Sequence, residues 1–339
     1  MKFLPLSLAE PGASPTALVA SRNWPESAHR WDRGSVLAIN AALACVRPLL
    51  LRGDPGTGKT QLARAAAAEL GRPLLSRVVN ARMEPEDLLY RFDAVARLSE
   101  AQLRAHGDGN GAKGGMDPKG FLMPDVFWWA LDPESARKQY DAAKARCGEV
   151  PDGYAEAMDP KRDYKEPAGP GEPLAVVLVD EIDKADSDVP NSLLEVLSCD
   201  GFQLPFGGGY VAGKAERRPL VLITTNEDRE LPPAFLRRCL VHQMDLPVEE
   251  TELRAALESR VRAHADLRGI AAEVMAGALN LLIEDRQQAL KRDLRPPGLA
   301  ELLDLLRVVT RSHAGAPAAQ VQALAANRAF TFLKHRPNA

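Results

Sequence analysis

Cysteine is scarce in this chain, and neither sign of charge predominates. Its 339 residues include four cysteines, Cys45, Cys147, Cys199 and Cys239, which stand far apart with no paired spacing. That pattern argues against a disulfide framework or a zinc site and fits reduced thiols in a cytosol. The 43 basic and 46 acidic residues leave a formal charge of -3. A dedicated nucleic-acid binder carries a basic footprint, so nucleic acid is only a secondary hypothesis. Long apolar runs are missing too: nothing approaches the roughly 18 residues of a membrane span. The opening MKFLPLSLAEPGASP is interrupted by Pro5 and carries Glu10, a poor secretory signal. A soluble, cytoplasmic protein is expected, with no internal repeat.

The length suits about two domains. Residues 1–34 hold turn formers together with Trp24 and Trp31 and read as an irregular arm. Val36–Val46 reads as an Ala-rich helix. Leu49-Leu50-Leu51 is a short apolar run that stops at Gly53, and helical spacing resumes over Thr60–Leu70: strand, glycine loop, helix. Pro73–Val79 follows the helix at the distance of a βα repeat; Leu174–Val179 and Leu220–Thr225 are unbroken aliphatic runs that suit parallel strands buried on both faces, with Val241–Leu246 a possible third. Glu84–Arg104 reads as helical and His106–Gly120 as a flexible loop. Phe127, Trp128 and Trp129 stand together, with core packing favoured over a ligand platform. From Glu249 onward Ala- and Leu-rich helical periodicity takes over, broken at Arg295-Pro296-Pro297-Gly298. The expected fold is therefore α/β, a parallel sheet flanked by helices. It spans 35–247, with extra loops at about 84–173, and a small all-helical domain follows over 248–339.

Gly53-Asp54-Pro55-Gly56-Thr57-Gly58-Lys59-Thr60 matches G-x-x-x-x-G-K-[ST] in full, between a predicted strand and a predicted helix. Glycines let the backbone wrap phosphate oxygens with N–H groups inward, and the helix start adds its positive end. Lys59 is expected at the β- and γ-phosphates and the Thr60 hydroxyl on Mg²⁺. The bland alternative is a glycine-rich turn without a ligand.

Val176-Val177-Leu178-Val179-Asp180-Glu181 puts two carboxylates at the C-terminal end of a buried strand, where ligand sites gather in open α/β sheets. This resembles a Walker B motif, in which Asp180 holds the metal shell and Glu181 polarises the attacking water. For Asp183 and Lys184 a surface or capping role is as good a reading as chemistry. Asn226, after Thr224-Thr225, ends the next buried strand. Leu231–Arg238 is a short Pro-opened segment ending in two arginines, Arg237 and Arg238. Phe202–Tyr210 reads as a hairpin with a glycine-rich tip.

In this order the motifs are similar to those of the AAA+ superfamily over roughly residues 35–310. Asp180-Glu181-Ile182-Asp183-Lys184-Ala185 with Pro190-Asn191-Ser192-Leu193-Leu194-Glu195 looks most like its MoxR group. The resemblance implies a sensor 1 at Asn226 and an arginine finger at Arg238, or else Arg237, presented to a neighbouring subunit. It also implies ATP and Mg²⁺ as ligands, a homo-hexameric ring, and a protein client handled with a von Willebrand factor A domain protein. The insertion in the family's second helix would fall within 84–131, while 132–173 is a further excursion. The chain departs from the pattern at sensor 2: glycine or leucine stands near the expected arginine, so either Arg295 substitutes from upstream or the stretch is a plain helix entry. The rivals are a nucleic-acid-associated AAA+ motor or GTPase subunit, which lacks its basic face here, and a P-loop small-molecule kinase, which has less need of Asp180-Glu181, Asn226 and an intersubunit arginine.

Overall fold

The structure is a computed structural model that describes residues 2–20, 24–105, 117–147, 175–214 and 217–332. In chain order the elements are β1 (Thr16–Leu18), β2 (Ser27–His29), α1 (Arg33–Cys45), β3 (Leu49–Arg52), α2 (Lys59–Leu70) and β4 (Leu74–Val78). Then come β5 (Tyr90–Phe92), α3 (Ala94–Ala105), β6 (Leu122–Pro124), α4 (Val126–Leu131), α5 (Pro133–Cys147), β7 (Val176–Asp180) and α6 (Asp188–Cys199). The hairpin β8 (Gly201–Gln203) and β9 (Tyr210–Ala212) precedes β10 (Leu220–Thr224), α7 (Pro233–Arg238) and β11 (Leu240–Gln243). Four helices follow: α8 (Glu250–Ala263), α9 (Ala272–Lys291), α10 (Leu299–Ser312) and α11 (Pro317–Thr331).

Five strands form one parallel sheet in the order β11-β3-β10-β7-β4. Register aligns Leu220 and Leu74 with Val176 on either side of β7, so Ile223 lies beside Val179 and Val78 beside Asp180. Val176–Val179 and Leu220–Ile223 are buried throughout, which is why these strands show no polar alternation. The chain divides into two compact units, residues 1–4, 37–50 and 66–241, and residues 5–36, 51–65 and 242–339.

In the first unit the core gathers Leu50, Val177, Val221, Ile223, Leu193 and the aromatic run of α4. Phe127 is fully buried, Trp128 meets Phe202 edge to face at 6.1 Å, and Trp129 meets Tyr140 at 6.0 Å. The Trp128 indole N–H is satisfied by Ser135 Oγ at 2.7 Å. Core packing thus accounts for the aromatic cluster. The continuous helix expected over 84–104 is corrected. Pro85–Leu88 is a 3-10 turn, β5 pairs antiparallel with β6, and α3 starts only after Asp93, whose carboxylate accepts from Ala96 N–H at 2.8 Å. The loop expected over His106–Gly120 lies outside the described residues as far as 116, beyond which Pro118–Phe121 is a 3-10 turn. Residues 148–174 also lie outside them, while α5 makes the start of the second excursion helical. The Phe202–Tyr210 hairpin is present as β8 and β9; a Cβ on Gly201 would strike the Val211 carbonyl.

In the second unit β1 and β2 make an antiparallel ribbon with Thr16 opposite His29, so the arm is not irregular throughout. Three-residue strands are too short to show a period. Trp31 locks the ribbon by donating its indole N–H to Thr16 Oγ1 at 2.8 Å. The helices α8 to α11 share a core of their own. Leu302, Leu305, Leu306 and Val309 of α10 are all fully buried, the i, i+3, i+4, i+7 stripe of an amphipathic helix. Arg328 ties α11 to α9 through the buried Asp285 at 2.5 Å. Among the described residues no helix is long and apolar enough to cross a membrane.

Candidate nucleotide site

The glycine loop belongs to the second unit. β3 stops at Arg52 and α2 starts at Lys59, so the loop joins a strand to a helix as its sequence demands. Gly53 and Gly56 have φ of +137° and +78°. A Cβ on Gly53 would lie 2.9 Å from the Met244 carbonyl oxygen, and one on Gly56 3.0 Å from Ala300 Cβ at the first turn of α10. Both positions therefore need glycine for conformation and for space. Lys59 is buried, and its ammonium donates to the carbonyls of Gly53 at 2.5 Å and Asp54 at 2.9 Å. Thr57 closes the same turn by donating its hydroxyl to the Asp54 carbonyl at 2.9 Å. The bond from Leu62 N–H to the Gly58 carbonyl, 2.9 Å, belongs to the helix. By helix geometry the N–H groups ahead of it have no partner in the helical ladder, and these suit an anion. Thr60 is half-buried one residue into α2. A tight glycine cradle around a buried ammonium fits a nucleoside triphosphate and its divalent cation.

The carboxylates belong to the first unit. β7 ends at Asp180, and Glu181 turns the chain with φ +62° and ψ +47°. That left-handed conformation costs a residue with a Cβ about 1–2 kcal/mol, and the surroundings enforce it. Glu181 N–H donates to Thr224 Oγ1 at 2.8 Å, and the same hydroxyl donates to Asp180 Oδ1 at 2.5 Å. Asn226 Nδ2 donates to Glu181 Oε1 at 3.3 Å, while Lys184 Nζ holds Oε2 at 2.5 Å. The ion pair with Glu181 raises the Lys184 pKa above the usual lysine value. Asp183 is buried, and its Oδ2 accepts from the backbone N–H groups of Asn226 at 3.3 Å and Asp228 at 2.9 Å. It fixes the loop that presents Asn226, so neither a solvated-surface nor a helix-capping role describes it.

Arg237 and Arg238 are exposed at the end of α7, a short helix anchored by the fully buried Phe235. Arg47 of the same unit spans the helix end. Its guanidinium donates to the carbonyls of Arg238 at 3.0 Å, Cys239 at 3.2 Å and also Arg237. These are the carbonyls a helix leaves without partners in its own ladder.

Arg295 is exposed on the turn before α10. Arg286 of α9 also brings a guanidinium to the glycine loop. It donates to the Pro297 carbonyl at 2.5 Å and feels the carboxylates of Asp54 and Glu301. Burial lowers its pKa from the usual arginine value, and those two carboxylates oppose the shift. Sequence reasoning missed Arg286, Arg47 and Thr224. Only Thr224 had a usable signal: a hydroxyl one residue past Ile223, where parallel register with β7 carries it to Asp180.

A glycine loop that joins a strand to a helix and cradles a buried lysine is the arrangement of a P-loop nucleotide-binding protein. Residues 49–247 match the model of the ATPase family associated with various cellular activities (AAA). That match covers more than half of the chain, which therefore belongs to this family. Nucleotide binding and ATP hydrolysis are the family's general activities, Mg²⁺ is its usual partner, and ring assembly is common in it. No curated protein matches the chain.

Proposed function

We propose that this chain is a MoxR-like AAA+ ATPase that couples ATP hydrolysis to remodelling or maturation of a protein partner. It would work as a hexameric ring with a protein bearing a von Willebrand factor A domain. The observation that carries hydrolysis is the Asn226 amide 3.3 Å from Glu181, with Asp180 tied to the same strand end through Thr224. A carboxylate held by an amide can take a proton from attacking water, while the amide keeps it oriented. The MoxR reading is supported by the stretches Asp180–Ala185 and Pro190–Glu195.

In this reading the backbone from Gly53 to Gly58 and the Lys59 ammonium take up phosphate charge. Thr60 and Asp180 would hold Mg²⁺, which when bound polarises phosphate oxygens. Glu181 serves as the base. Arg238, with Arg237 as second choice, neutralises charge on the nucleotide of an adjoining subunit, a contribution of about 10³ to 10⁵ in rate in systems of this kind. Their exposure and the Arg47 brace support that role.

Light scattering on wild type and Glu181→Gln, with and without ATP and Mg²⁺, tests the proposal alongside ATPase assays. A nucleotide-dependent shift to about six subunits, with hydrolysis lost in the variant, supports it. A monomer in every condition with unimpaired turnover in Glu181→Gln overturns it.

A further inference from the structure

Two neighbouring clefts of the second unit open beside the β1–β2 ribbon and the end of α8, and the larger also reaches α10. Their volumes are about 590 Å³ and about 370 Å³, each within the roughly 300–1,000 Å³ of a ligand site. Pro15, Ala263 and Arg268 line both, so the two make one groove.

This groove is basic, in a chain whose formal charge is -3. Five arginines line it: Arg30 and Arg262 in the smaller cleft, Arg307 and Arg311 in the larger, and Arg268 in both. Two carboxylates, Glu26 and Asp266, oppose them. Arg307 pairs with Asp266 at 2.9 Å, and Arg262 pairs with Glu258 on its own helix at 2.8 Å. Arg30 donates to the Ala13 carbonyl at 3.5 Å. Among the described residues neither Arg268 nor Arg311 has an ion-pair partner.

Both walls are held in place. The Arg307–Asp266 pair fixes the turn after α8 that carries Arg268, and Arg311 lies one turn beyond Arg307 on the same side of α10. Across the groove, Arg64 of α2 donates to Ser27 Oγ at 3.0 Å and to the carbonyls of Val19 at 3.0 Å and Pro25 at 3.3 Å. Pro25 and Ser27 belong to the lining of the larger cleft. A surface fixed in this way loses little freedom when a ligand settles on it.

We propose that this groove docks an extended acidic peptide segment of a partner protein, whose carboxylates are met by Arg268 and Arg311. The inference goes beyond the ATPase reading and does not depend on it. A guanidinium without a partner offers a planar fork of donors that a carboxylate matches at both oxygens. Between the arginines the lining is small and apolar, with Pro15, Ala17, Ala28 and Ala263, which suits the backbone and short side chains between acidic residues. Phosphate matches a guanidinium equally well, but single-stranded nucleic acid also takes aromatic faces for its bases. Among the described residues neither cleft is lined by Phe, Tyr or Trp. Glu26 and Asp266 would repel a continuous phosphate backbone, whereas a peptide can space its carboxylates around them.

The test is fluorescence anisotropy on the full chain with a labelled peptide of alternating glutamate and alanine, its glutamine counterpart, and a labelled oligothymidylate. Wild type should bind the glutamate peptide at least about tenfold tighter than the glutamine peptide, with an affinity that falls as salt is raised. Arg268→Ala and Arg311→Ala should each weaken it about tenfold, while Arg292→Ala, which removes an exposed arginine outside the groove, leaves it unchanged. Arg311 stands in the last turn of α10, where a positive charge also supports the helix. Arg268 sits in an exposed turn, so Arg268→Ala decides the matter if Arg311→Ala lowers the Tm. Wild type with no preference for the glutamate peptide overturns the proposal, as does equal weakening by Arg292→Ala. Oligothymidylate that binds tighter than the glutamate peptide, and is weakened by the same two variants, overturns it in favour of a nucleic-acid site.

Discussion

The Thr224 hydroxyl donates to the Asp180 carboxylate at 2.5 Å while accepting the Glu181 N–H at 2.8 Å. One side chain thus positions a carboxylate and holds the next residue in its left-handed turn. Thr224→Val keeps the shape and removes both bonds. With Asp180 in the metal-holding role proposed for it, steady-state kinetics should show kcat reduced about 10- to 100-fold, the usual cost of losing a group that orients such a ligand, with partial recovery in Thr224→Ser. Unchanged kinetics would refute the positioning role.

Asn226 and Glu181 allow a sharper comparison. Asn226→Ala removes the amide donor, whereas Asn226→Asp sets a second carboxylate about 3.3 Å from the first. Like charges that close drive a carboxylate pKa upward. The aspartate variant should be the slower of the two at pH 7, and its pH–rate profile should shift to higher pH. Equal rates with superimposable profiles would show that the amide does not act through Glu181.

Arg47 braces the end of α7 from far away in the sequence. Arg47→Ala strands three backbone carbonyls and should lower stability by about 1–2 kcal/mol, read from urea unfolding. If Arg238 acts as proposed, Arg47→Ala should depress hydrolysis as Arg238→Ala does, while nucleotide binding persists. ATPase activity that survives Arg47→Ala and Arg238→Ala alike would refute the finger role proposed for Arg238.

Arg286 and Arg295 compete for one role. Because Arg286 acts on Asp54 of the glycine loop and grips Pro297, Arg286→Ala should impair ATP turnover more than Arg295→Ala. Arg286→Lys should rescue it only in part, since a lysine cannot reproduce the planar fork of donors. The reverse ranking would favour Arg295.

Acid should weaken the fold through its histidines. His29 titrates near 4 when folded and near 6.5 when unfolded, and burial also lowers the pKa values of His242 and His264. Below the unfolded value the unfolded chain binds more protons, so the stability contributed by a neutral His29 is complete above about pH 6.5 and drains away toward pH 4. Thermal unfolding from pH 7 to 4.5 should show a falling Tm, with a shallower slope in His29→Asn. A flat profile in wild type would contradict the burial argument.

Much of this was legible in the sequence, for identifiable reasons. Parallel strands buried on both faces announce themselves as unbroken aliphatic runs, as β3, β7 and β10 do. The half-exposed and partly polar β4 and β11 were anticipated to within a few residues from shorter apolar stretches and their spacing. The glycine loop was readable because its chemistry is local. What stayed hidden was held by distant partners. The region after Glu84 carries helical spacing, yet Pro85 and the pairing of Tyr90–Phe92 with Leu122–Pro124 divide it. Arg47, 190 residues before Arg237, and Arg286, remote in sequence from Asp54, gain meaning only when the chain is folded. Asp183 looked like a surface acid because nothing in its neighbours reveals that two backbone N–H groups converge on it.

The contact between Gly56 and Ala300 has a mechanical side. A Cβ at position 56 would come within 3.0 Å of Ala300, so loop and helix touch with no slack between them. The 14 residues of α10 make a stiff rod of about 21 Å, and its first turn is where the glycine loop presses. A displacement of a few tenths of an ångström there becomes a tilt, and a tilt is magnified along the rod toward Ser312. For a rigid rod pushed at its first turn, the far end of α10 is where travel is largest.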